Sequence, residues 1–423
     1  MELYKIKAKW LEKPSPKPYW LVELPNENDA VRIASRSVTM RYIIELWGGA
    51  TSMEDLHTEL KSMPESKILK YCEEHLSFKV KVECYGNSQT AAEKVEKIDT
   101  FKYLPLKGKV KLKNPDVTFN LIEYWGMEPN NLPSKPYNIA HGQRDLITEL
   151  SLKTRKFIGN TSMNSQLSLI MANQAKVQPG DLVFDPFVGS GSLLVAAAYY
   201  GAYVFGSDID YLMLHGKTKQ SRKQTRVMDE SIFENMKQYK CQSRYVDVVV
   251  ADAALPPWSS SLVLDAIITD MPYGIRESAE RIGSTKIQDG KHVVPENEIH
   301  IPSKIEYDFS KMLEDLFKFS LTHLKVGGRL VTWLPVLLCD YDPNELPMHH
   351  CLTLVSNCEQ KLSTFTSRRL LTYEKIKEPE VTFTVSYGAA FREKFYRHAQ
   401  KLQKERAENR HNNREIVLSL SEP

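Results

Sequence analysis

The chain has 423 residues, which predicts two or three folded domains and excludes a single small binding module. Hydrophobic residues make up 42% and charged residues 26% of the sequence, so sizeable cores are expected and an intrinsically disordered chain is excluded. The 56 Lys and Arg against 53 Asp and Glu leave a formal charge of +3, so any nucleic-acid surface must arise from local clustering.

The N-terminal residues 1–127 predict a small α+β module. Runs at Phe78 to Cys84 and Gly108 to Lys113 alternate lysines with apolar residues, which predicts two half-buried strands. Ser37 to Trp47 and Ser52 to Leu60 carry apolar residues at helical spacing, which predicts two helices. The lysines of the predicted strands either contact phosphates or form a solvated face.

A loop rich in Pro and Asn, Glu128 to Pro136, indicates a linker, which we assign to residues 128–149. Over residues 150–377 short β-rich runs alternate with helical stretches, the pattern of a doubly wound α/β domain. Residues 378–423 predict a basic helix or tail that is solvated or contacts RNA. The seven candidate strands are Leu182 to Asp185, Tyr203 to Ser207, Val246 to Val250, Leu264 to Thr269, Arg329 to Leu334, Thr353 to Gln360 and Arg368 to Lys375.

The segment Asp181 to Leu193, D-L-V-F-D-P-F-V-G-S-G-S-L, predicts a strand, a glycine turn and a helix that bind a nucleotide-like cofactor. Gly189 and Gly191 let the backbone approach a ligand, and the helix start directs free N–H groups at it. A dinucleotide cofactor is disfavoured, because the glycine spacing is not G-x-G-x-x-G and the negative Asp185 carboxylate would repel a pyrophosphate. A sulfonium cofactor bearing an amino acid fits better, with Phe187 of the same turn in its binding set.

Two further acids follow the next two predicted strands. Asp208 is placed to accept hydrogen bonds from ribose hydroxyls, and Asp252 lies within reach of an adenine amino group. Each acid alone is equally compatible with a helix cap. Together with the glycine turn, they predict an adenosyl pocket.

The fourth strand of this series ends in L-D-A-I-I-T-D-M-P-Y-G, Leu264 to Gly274. The Asp270 carboxylate and a backbone carbonyl at Pro272 are two acceptors for an exocyclic amine, and the Tyr273 ring offers a stacking face. The alternative is a β-turn with an Asp cap. The predicted adenosyl pocket upstream favours the functional interpretation.

These motifs, with R-K-F-I-G-N-T-S-M (Arg155 to Met163) and G-G-R-L-V-T-W-L-P (Gly327 to Pro335), resemble the tRNA (guanine-10-N2)-methyltransferase family, specifically its eukaryotic catalytic subunit. The resemblance extends from Tyr19 to Lys375. It implies a class I, Rossmann-like methyltransferase domain that uses S-adenosylmethionine, and an N-terminal THUMP-type RNA-binding region. It also implies tRNA as substrate and a small zinc-containing activator protein as obligate partner.

From the resemblance we expect methylation of the N2 amine of a guanosine at position ten of tRNA. Asp270 would orient the amine and accept its proton, the Pro272 region would supply rigid acceptors, and Tyr273 would stack on the base. The candidates for RNA phosphate contacts, or else ordinary surface charges, are Lys109, Lys111, Arg276 and Arg281.

The sequence departs from the family at two places. Family members usually carry a strand-helix segment ahead of the position of Tyr19, so we expect a shortened N-terminal module. The family's D-P-P-Y is D-M-P-Y here, with Met271 at the second position. Because Met can adopt the φ that Pro enforces, Met271→Pro is expected to be tolerated and to stabilise the fold by about 0.4 to 1 kcal/mol.

Two other functions stay open, an adenine-amine methyltransferase acting on RNA or DNA and a non-catalytic RNA-binding subunit. The first is open because Asp-x-Pro-Tyr grips any exocyclic amine. We expect no metal site, since the six cysteines include no C-x-x-C pair. No signal peptide is recognisable, and the longest apolar stretch is shorter than the ~20 residues of a membrane span, so a cytoplasmic protein is expected.

The activator is expected at the third strand of the methyltransferase sheet, Tyr245 to Val250. That strand should lie at a sheet edge, yet it is strongly apolar and carries none of the Lys or Pro that normally protect an edge. A partner that adds a strand there would pair its backbone and bury its valines. The alternative is that the segment Arg222 to Lys240 folds back over the edge.

Overall fold

The computed structural model describes residues 1–12, 18–125, 132–133, 136–215, 230–274, 277–284 and 302–379. The chain divides into two compact units, Met1–Ile147 and Thr148–Pro423. Arg276 and the basic tail from residue 380 onward lie outside the described residues, so what was predicted for them stays a prediction. Among the described helices, none has the length and apolar character needed to cross a membrane.

The first unit combines short helices with a four-stranded sheet, in which the strands lie in the order Tyr42–Leu46, Pro136–His141, Val117–Tyr124 and Phe78–Tyr85. Its strands are β1 (Lys9–Trp10), β2 (Val22–Glu23), β3 (Tyr42–Leu46), β4 (Gly49–Ala50), β5 (Phe78–Tyr85), β6 (Val117–Tyr124), β7 (Leu132–Pro133) and β8 (Pro136–His141). Its helices are α1 (Glu27–Ala34), α2 (Met53–Ser62), α3 (Glu65–Leu69), α4 (Ala91–Asp99) and α5 (Asp145–Glu149), the last of which spans the boundary between the units.

Local sequence signals explain most of these elements. The predicted helix that starts after Ser52 is α2, and the Ser52 hydroxyl caps it by accepting from the Asp55 backbone N–H at 3.1 Å. Thr90 and Glu93 form a capping box at the start of α4. The predicted strand at Phe78 is β5, which pairs in parallel with β6 over a buried core. These two predictions, one helix and one strand, are confirmed.

Two other predictions for this unit are wrong. The segment Ser37 to Trp47 was expected to be helical, but it contains β3, because its aromatic and β-branched run pairs with β8. Gly108 to Lys113 was expected to be a strand, but it forms only an isolated bridge between Val110 and Phe78. Val110 and Leu112 are exposed, so this run has no buried face to hold it in a sheet.

Part of the predicted linker 128–149 is a strand. Residues 136–141 form β8, which pairs antiparallel with β3 and contacts β6 at Phe119. The chain therefore returns to the first unit's sheet after the Pro- and Asn-rich loop, because β3 and β6 both offer it backbone partners.

The second unit is a seven-stranded sheet with helices on it. Its sheet strands are β9 (Leu182–Asp185), β10 (Tyr203–Asp208), β11 (Tyr245–Val250), β12 (Leu264–Thr269), β15 (Leu324–Leu337), β16 (Leu352–Lys361) and β17 (Thr366–Lys375). Outside that sheet, β13 (Glu280–Ile282) and β14 (Lys304–Glu306) form a ribbon. Its helices are α6 (Ser165–Gln174), α7 (Ser192–Tyr199), α8 (Tyr211–Leu214), α9 (Ile232–Gln238) and α10 (Phe309–His323).

The strand order is β11-β10-β9-β12-β15-β17-β16, with β17 antiparallel to both of its neighbours. The other neighbouring pairs are parallel. This confirms the doubly wound sheet and all seven predicted strands. The largest difference is at β15, which begins at Leu324 rather than Arg329; its pairing with β12 shifts register between Leu324 and Arg329, the stretch that contains Gly327 with its positive φ.

The core of this sheet fixes where ligands can approach. Phe317 and other apolar residues of α10 pack on one face, against Leu330 and Tyr373 of the central strands. The parallel strands all end at one edge, and Thr366, where the antiparallel β17 starts, pairs with Leu337 at the same edge. Loops at this edge are the expected ligand-binding position in an α/β sheet.

Candidate active site

Four predicted acids meet at the carboxyl edge of the sheet. Asp185 ends β9, Asp208 ends β10, Asp252 follows β11 by two residues and Asp270 follows β12 directly. Because neighbouring parallel strands end side by side, the sheet brings the acids predicted from separate motifs to one edge.

The glycine turn between β9 and α7 has the conformation its residues permit. Gly189 and Gly191 have φ of 49° and 77°, the left-handed region that favours glycine. A Cβ at Gly189 would meet nothing within 4 Å, whereas one at Gly191 would come within 2.8 Å of the Ile232 side chain. Gly189 therefore borders open space that a ligand can use, and Gly191 serves close packing.

Asp185 lies at the base of this turn and is almost completely buried. Its Oδ1 accepts hydrogen bonds from the Thr269 hydroxyl at 2.7 Å and the Phe187 backbone N–H at 3.0 Å. Burial raises the pKa of its carboxyl to about 7, against the effect of these hydrogen bonds. This acid is poised to ionise when a positive group arrives.

Asp208 and Asp252 are held by backbone donors. Asp208 accepts from the N–H groups of Gly189 at 2.8 Å and Asp210 at 2.9 Å, and burial raises its pKa. Asp252 accepts from the N–H groups of Ala254 at 2.9 Å and Ile282 at 2.7 Å. The carboxylates are therefore fixed while each oxygen keeps further acceptor capacity.

An open cleft with about 530 Å³ of empty volume, part of it open to solvent, adjoins Asp252. Its lining combines apolar side chains with this one acid and one lysine, the composition of a small-molecule site. The lining residues are Ile209, Tyr211, Val250, Ala251, Asp252, Ile282, Pro302 and Lys304.

Asp270 and Tyr273 form the fourth part of the site, together with Arg368 of β17. The Tyr273 hydroxyl donates to Asp270 Oδ1, and Arg368 Nη1 donates to Asp270 Oδ2 at 3.0 Å. Burial raises the pKa of the Asp270 carboxyl, and the Arg368 guanidinium opposes that rise. Both oxygens of this carboxylate are thus bonded to side chains rather than to backbone.

The segment Arg155 to Met163 packs beside the glycine turn. Buried Arg155 donates to the Ser192 hydroxyl of α7 at 2.8 Å, and the hydroxyls of Ser162 and Ser190 lie 2.5 Å apart. The Asn235 amide exchanges two hydrogen bonds with the backbone of Phe157. The motif therefore supports the turn from outside the sheet.

Met271 is more buried than the sequence analysis assumed. Its side chain is buried to 1% exposure in the apolar cluster of the second unit, whereas Pro272 is only half-buried. The predicted gain from Met271→Pro counted only the backbone. Replacing a buried Met also removes packing, so with this burial included we predict a net loss of stability instead.

The predicted phosphate contacts belong to different parts of the chain. Lys109 and Lys111 lie in the first unit, Arg281 lies in β13, and Arg276 is outside the described residues. The ribbon β13-β14 nevertheless reaches the site, since it supplies the Ile282 N–H that Asp252 accepts.

Two charged residues near the site were missed by the sequence analysis. Arg368 is one, and its position at the amino end of an antiparallel strand is the signal that would have placed it at the carboxyl edge. Glu277 is the other; desolvation, with Asp208 and Asp270 nearby, raises its pKa to about 7 although the residue is exposed. The position of Arg368 follows from sheet order, whereas Glu277 lies seven residues after Asp270 in the same loop.

His349, His350 and Cys351 bring three potential metal-ligand atoms within 4.8 Å of one another. They are consecutive in the chain, and His349 Nδ1 already accepts from the Cys351 backbone N–H at 3.1 Å. A structural zinc site takes four ligands, and among the described side chains this group offers three.

Comparison with known proteins covers both units. The family model "Tmrp11 THUMP N-terminal domain" matches residues 1–146, and "RMKL-like, methyltransferase domain" matches residues 153–286. The mouse protein named tRNA (guanine(10)-N(2))-methyltransferase TRMT11 is 48% identical over 372 residues, 86% of this chain and 80% of that protein. The Saccharomyces cerevisiae tRNA (guanine(10)-N(2))-methyltransferase is 35% identical over 393 residues, 88% of this chain and 87% of that protein. The crystal structure of TrmN from Thermus thermophilus is 17% identical, with a TM-score of 0.38, and the alignment covers 79% of this chain and 83% of that one.

Proposed function

The chain belongs to the tRNA (guanine(10)-N(2))-methyltransferase family, and from this premise we propose that it methylates the N2 amine of the guanosine at position ten of tRNA. The observation that carries this proposal is its identity to curated relatives across both units. The chain is a methyltransferase, and its methyl donor is S-adenosylmethionine, which supplies an electrophilic methyl group when bound.

The residues at the carboxyl edge fit that cofactor. The open space at Gly189 admits the cofactor next to the backbone, and Asp208 can accept from the ribose hydroxyls. Asp252 lies at the cleft and can accept from the adenine amine. Asp185 would ionise beside the ammonium group of the cofactor, because a cation favours the charged form of a buried acid. Phe187 and Gly191 shape the same turn.

The Asp270 loop provides the site for the base. The N2 amine of guanine is a weak nucleophile because its lone pair is delocalised into the ring, so precise placement supplies much of the rate gain. Asp270 accepts the N–H of the amine and then its proton, and the backbone at Pro272 offers a second acceptor. Tyr273 provides the ring on which a base withdrawn from its stack can lie.

RNA binding is assigned to the THUMP-like first unit. Residues 1–127 and the linker 128–149 precede a catalytic domain at 150–377 and a basic tail at 378–423 in this assignment. Lys109 and Lys111 are exposed and supply positive charge for tRNA phosphates. Arg276 and Arg281 after the Asp270 loop are assigned the same role close to the base.

The zinc-containing activator is assigned to the sheet edge at β11, in a cytoplasmic heterodimer. β11 is the terminal strand in the described part of the chain, and its Val246 and Val250 are exposed. Of the segment Arg222 to Lys240, α9 is described, and Phe233 on it lies 5.8 Å from the Tyr245 ring. Phe233 reaches the start of the strand, and exposed Val246 is the valine that we assign to the partner, since Val250 also lines the cleft at Asp252.

A methyl-transfer assay with labelled cofactor tests the proposed function. The chain, with and without the activator, is incubated with one tRNA transcript and with the same transcript carrying inosine at position ten. Because inosine lacks the N2 amine, we expect label only in the guanosine transcript, recovered as N2-methylguanosine.

The controls separate the alternatives. Label recovered in adenosine would identify the adenine-amine enzyme, and no label in the presence of the activator would indicate a non-catalytic subunit. Asp270→Ala should reduce turnover by about a hundredfold or more while cofactor binding persists. Asp208→Ala should instead raise the cofactor Kd.

A further inference from the structure

Arg368 stands next to the proposed proton acceptor but belongs to none of the motifs. It is the third residue of β17, and its register partner is Pro335 near the end of β15. Because β17 runs antiparallel, its amino end arrives at the edge where β12 delivers Asp270. The two residues are 98 positions apart in sequence.

The guanidinium of Arg368 is held by three polar contacts and one aromatic ring. Its Nη1 lies 3.0 Å from Asp270 Oδ2 and 3.4 Å from the Tyr273 hydroxyl, and its Nε donates to Gln360 Oε1 at 2.7 Å. Its Cζ sits 4.1 Å from the centre of the Trp333 ring, a cation–π distance. With 13% of the side chain exposed, Arg368 is a fixed, desolvated cation.

The charges around Asp270 explain what this cation does. Burial raises the pKa of the Asp270 carboxyl, and Arg368 is the largest influence that lowers it. Tyr273 of its own loop also donates to it, whereas the acids Asp185 and Glu277 face it with like charge. Without the arginine, burial and two neighbouring acids would favour a protonated Asp270, which cannot accept a proton.

We propose that Arg368 is a positioning residue for methyl transfer, which keeps Asp270 ionised and turns its carboxylate toward the substrate amine. The proposal rests on the proposed function for the identity of that amine. By occupying Oδ2, Arg368 fixes the carboxylate plane and leaves Oδ1, shared with Tyr273, as the oxygen that meets the substrate. Trp333 and Gln360 hold the arginine in place.

The experiment compares the wild type with Arg368→Met and Arg368→Lys, each with the activator and tRNA. Arg369→Met is the matched control, because Arg369 also lies over a ring, that of Tyr341, and bonds to β16 but does not contact Asp270. We expect Arg368→Met to lower kcat by about tenfold to a hundredfold, with the cofactor Kd and the KM for tRNA nearly unchanged.

The pH profile separates this role from a structural one. Removing the cation raises the pKa of Asp270, so the acid limb of kcat in Arg368→Met should shift to higher pH. Arg368→Lys keeps the positive charge, so its pH profile should have the same acid limb as the wild type, with a partial loss of kcat. Arg369→Met should match the wild type in both respects.

Wild-type kcat in Arg368→Met, or a loss of kcat with an unshifted acid limb, would overturn the proposal. Carboxyl NMR of labelled Asp, with Asp270→Asn to assign the signal, follows the same titration without turnover. If the Asp270 pKa in Arg368→Met equals that of the wild type, the proposal for Arg368 is overturned. A wild type that is inactive on tRNA would contradict the proposed function instead, and the NMR titration would still test Arg368.

Discussion

The four acids of the site differ in what holds their oxygens. Within the described residues, Asp208 and Asp252 accept from backbone N–H groups, and Asp185 accepts from one backbone and one side-chain donor. Asp270 accepts from the side chains of Tyr273 and Arg368. The acids that we assign to the cofactor are therefore fixed largely by the backbone, whereas the acid that we assign to proton transfer depends on two side chains that a substitution can remove.

Asp185 should make cofactor binding depend on pH. Its pKa of about 7 means that the free protein holds it mostly protonated below pH 7, and in the proposed site the ionised form is the one that attracts the cofactor's ammonium group. We expect the Kd for S-adenosylmethionine to rise as pH falls from 8 to 6, approaching about tenfold per pH unit below the pKa. Calorimetric titration measures it.

Asp185→Asn is the control for this dependence. The amide keeps the shape of the side chain but does not titrate, so binding should weaken at pH 8 and the slope over this range should flatten. A wild-type Kd that stays constant from pH 8 to 6 would show that Asp185 is not in the cofactor's charge environment.

Substitutions at Met271 test whether the backbone or side-chain packing decides stability at this position. Met271→Pro gains about 0.4 to 1 kcal/mol from the unfolded chain but loses packing in the buried cluster, on the order of 1 to 3 kcal/mol. We expect a lower Tm with kcat largely kept. Met271→Leu, which nearly conserves volume, should cost less than about 1.5 kcal/mol. A Tm above wild type for the proline variant would restore the backbone argument.

At the scale of elements, sequence periodicity predicted the strands that have a buried face. Six of the seven strands of the large sheet have buried residues, and β11 has partly buried ones, whereas 108–113 has the same alternation and no buried face. At Ser37 to Trp47, helical spacing coexists with a β-branched run, and pairing with β8 decided the outcome. Such pairing is long-range, so the local pattern did not contain it.

In the candidate site too, local motifs predicted some residues, and long-range strand pairing placed another. Asp185, Asp208, Asp252 and Asp270 each lie at the end of a recognisable strand or just after it, so their motifs were sufficient to place them at one edge of the sheet. Arg368 could not be found in that way, because its contact with Asp270 depends on β17 running antiparallel between two other strands.

The lysine-rich segment Gly108 to Lys113 of the first unit should contribute to tRNA affinity. It is anchored by two hydrogen bonds of 2.9 Å between the backbones of Phe78 and residues Lys109 and Lys111. Its lysines therefore project from a fixed position. We expect Lys109→Ala with Lys111→Ala to weaken tRNA binding and to lower the salt slope of log Kd by about 1 per lysine.

Lys102→Ala is the matched control in the same unit, because Lys102 is exposed and pairs with Asp99 at 3.3 Å. It should leave the salt slope unchanged. Filter binding over a range of salt concentrations measures all three proteins. An unchanged slope in the double variant would assign these lysines to the solvated surface.

At the scale of the whole molecule, the position of β11 as the terminal strand of the described sheet predicts dependence on a partner. Exposed valines on a terminal strand favour non-specific pairing, so the chain expressed alone should be poorly soluble. With the activator, we expect higher solubility and slower amide exchange across Tyr245 to Val250. Equal exchange on that strand with and without the activator would place the docking site elsewhere.

The position of β17 also has a consequence during synthesis. It lies between β15 and β16, although both precede it in the chain, so those two strands must leave a gap until the last strand of the sheet is made. A nascent chain that has only reached β16 already carries the glycine turn and Asp270, but Arg368 has not yet been translated. Insertion of β17 would therefore complete the sheet and the proposed reactive site in one step. A ribosome-bound chain should show no methyl-transfer activity until residue 375 has left the exit tunnel.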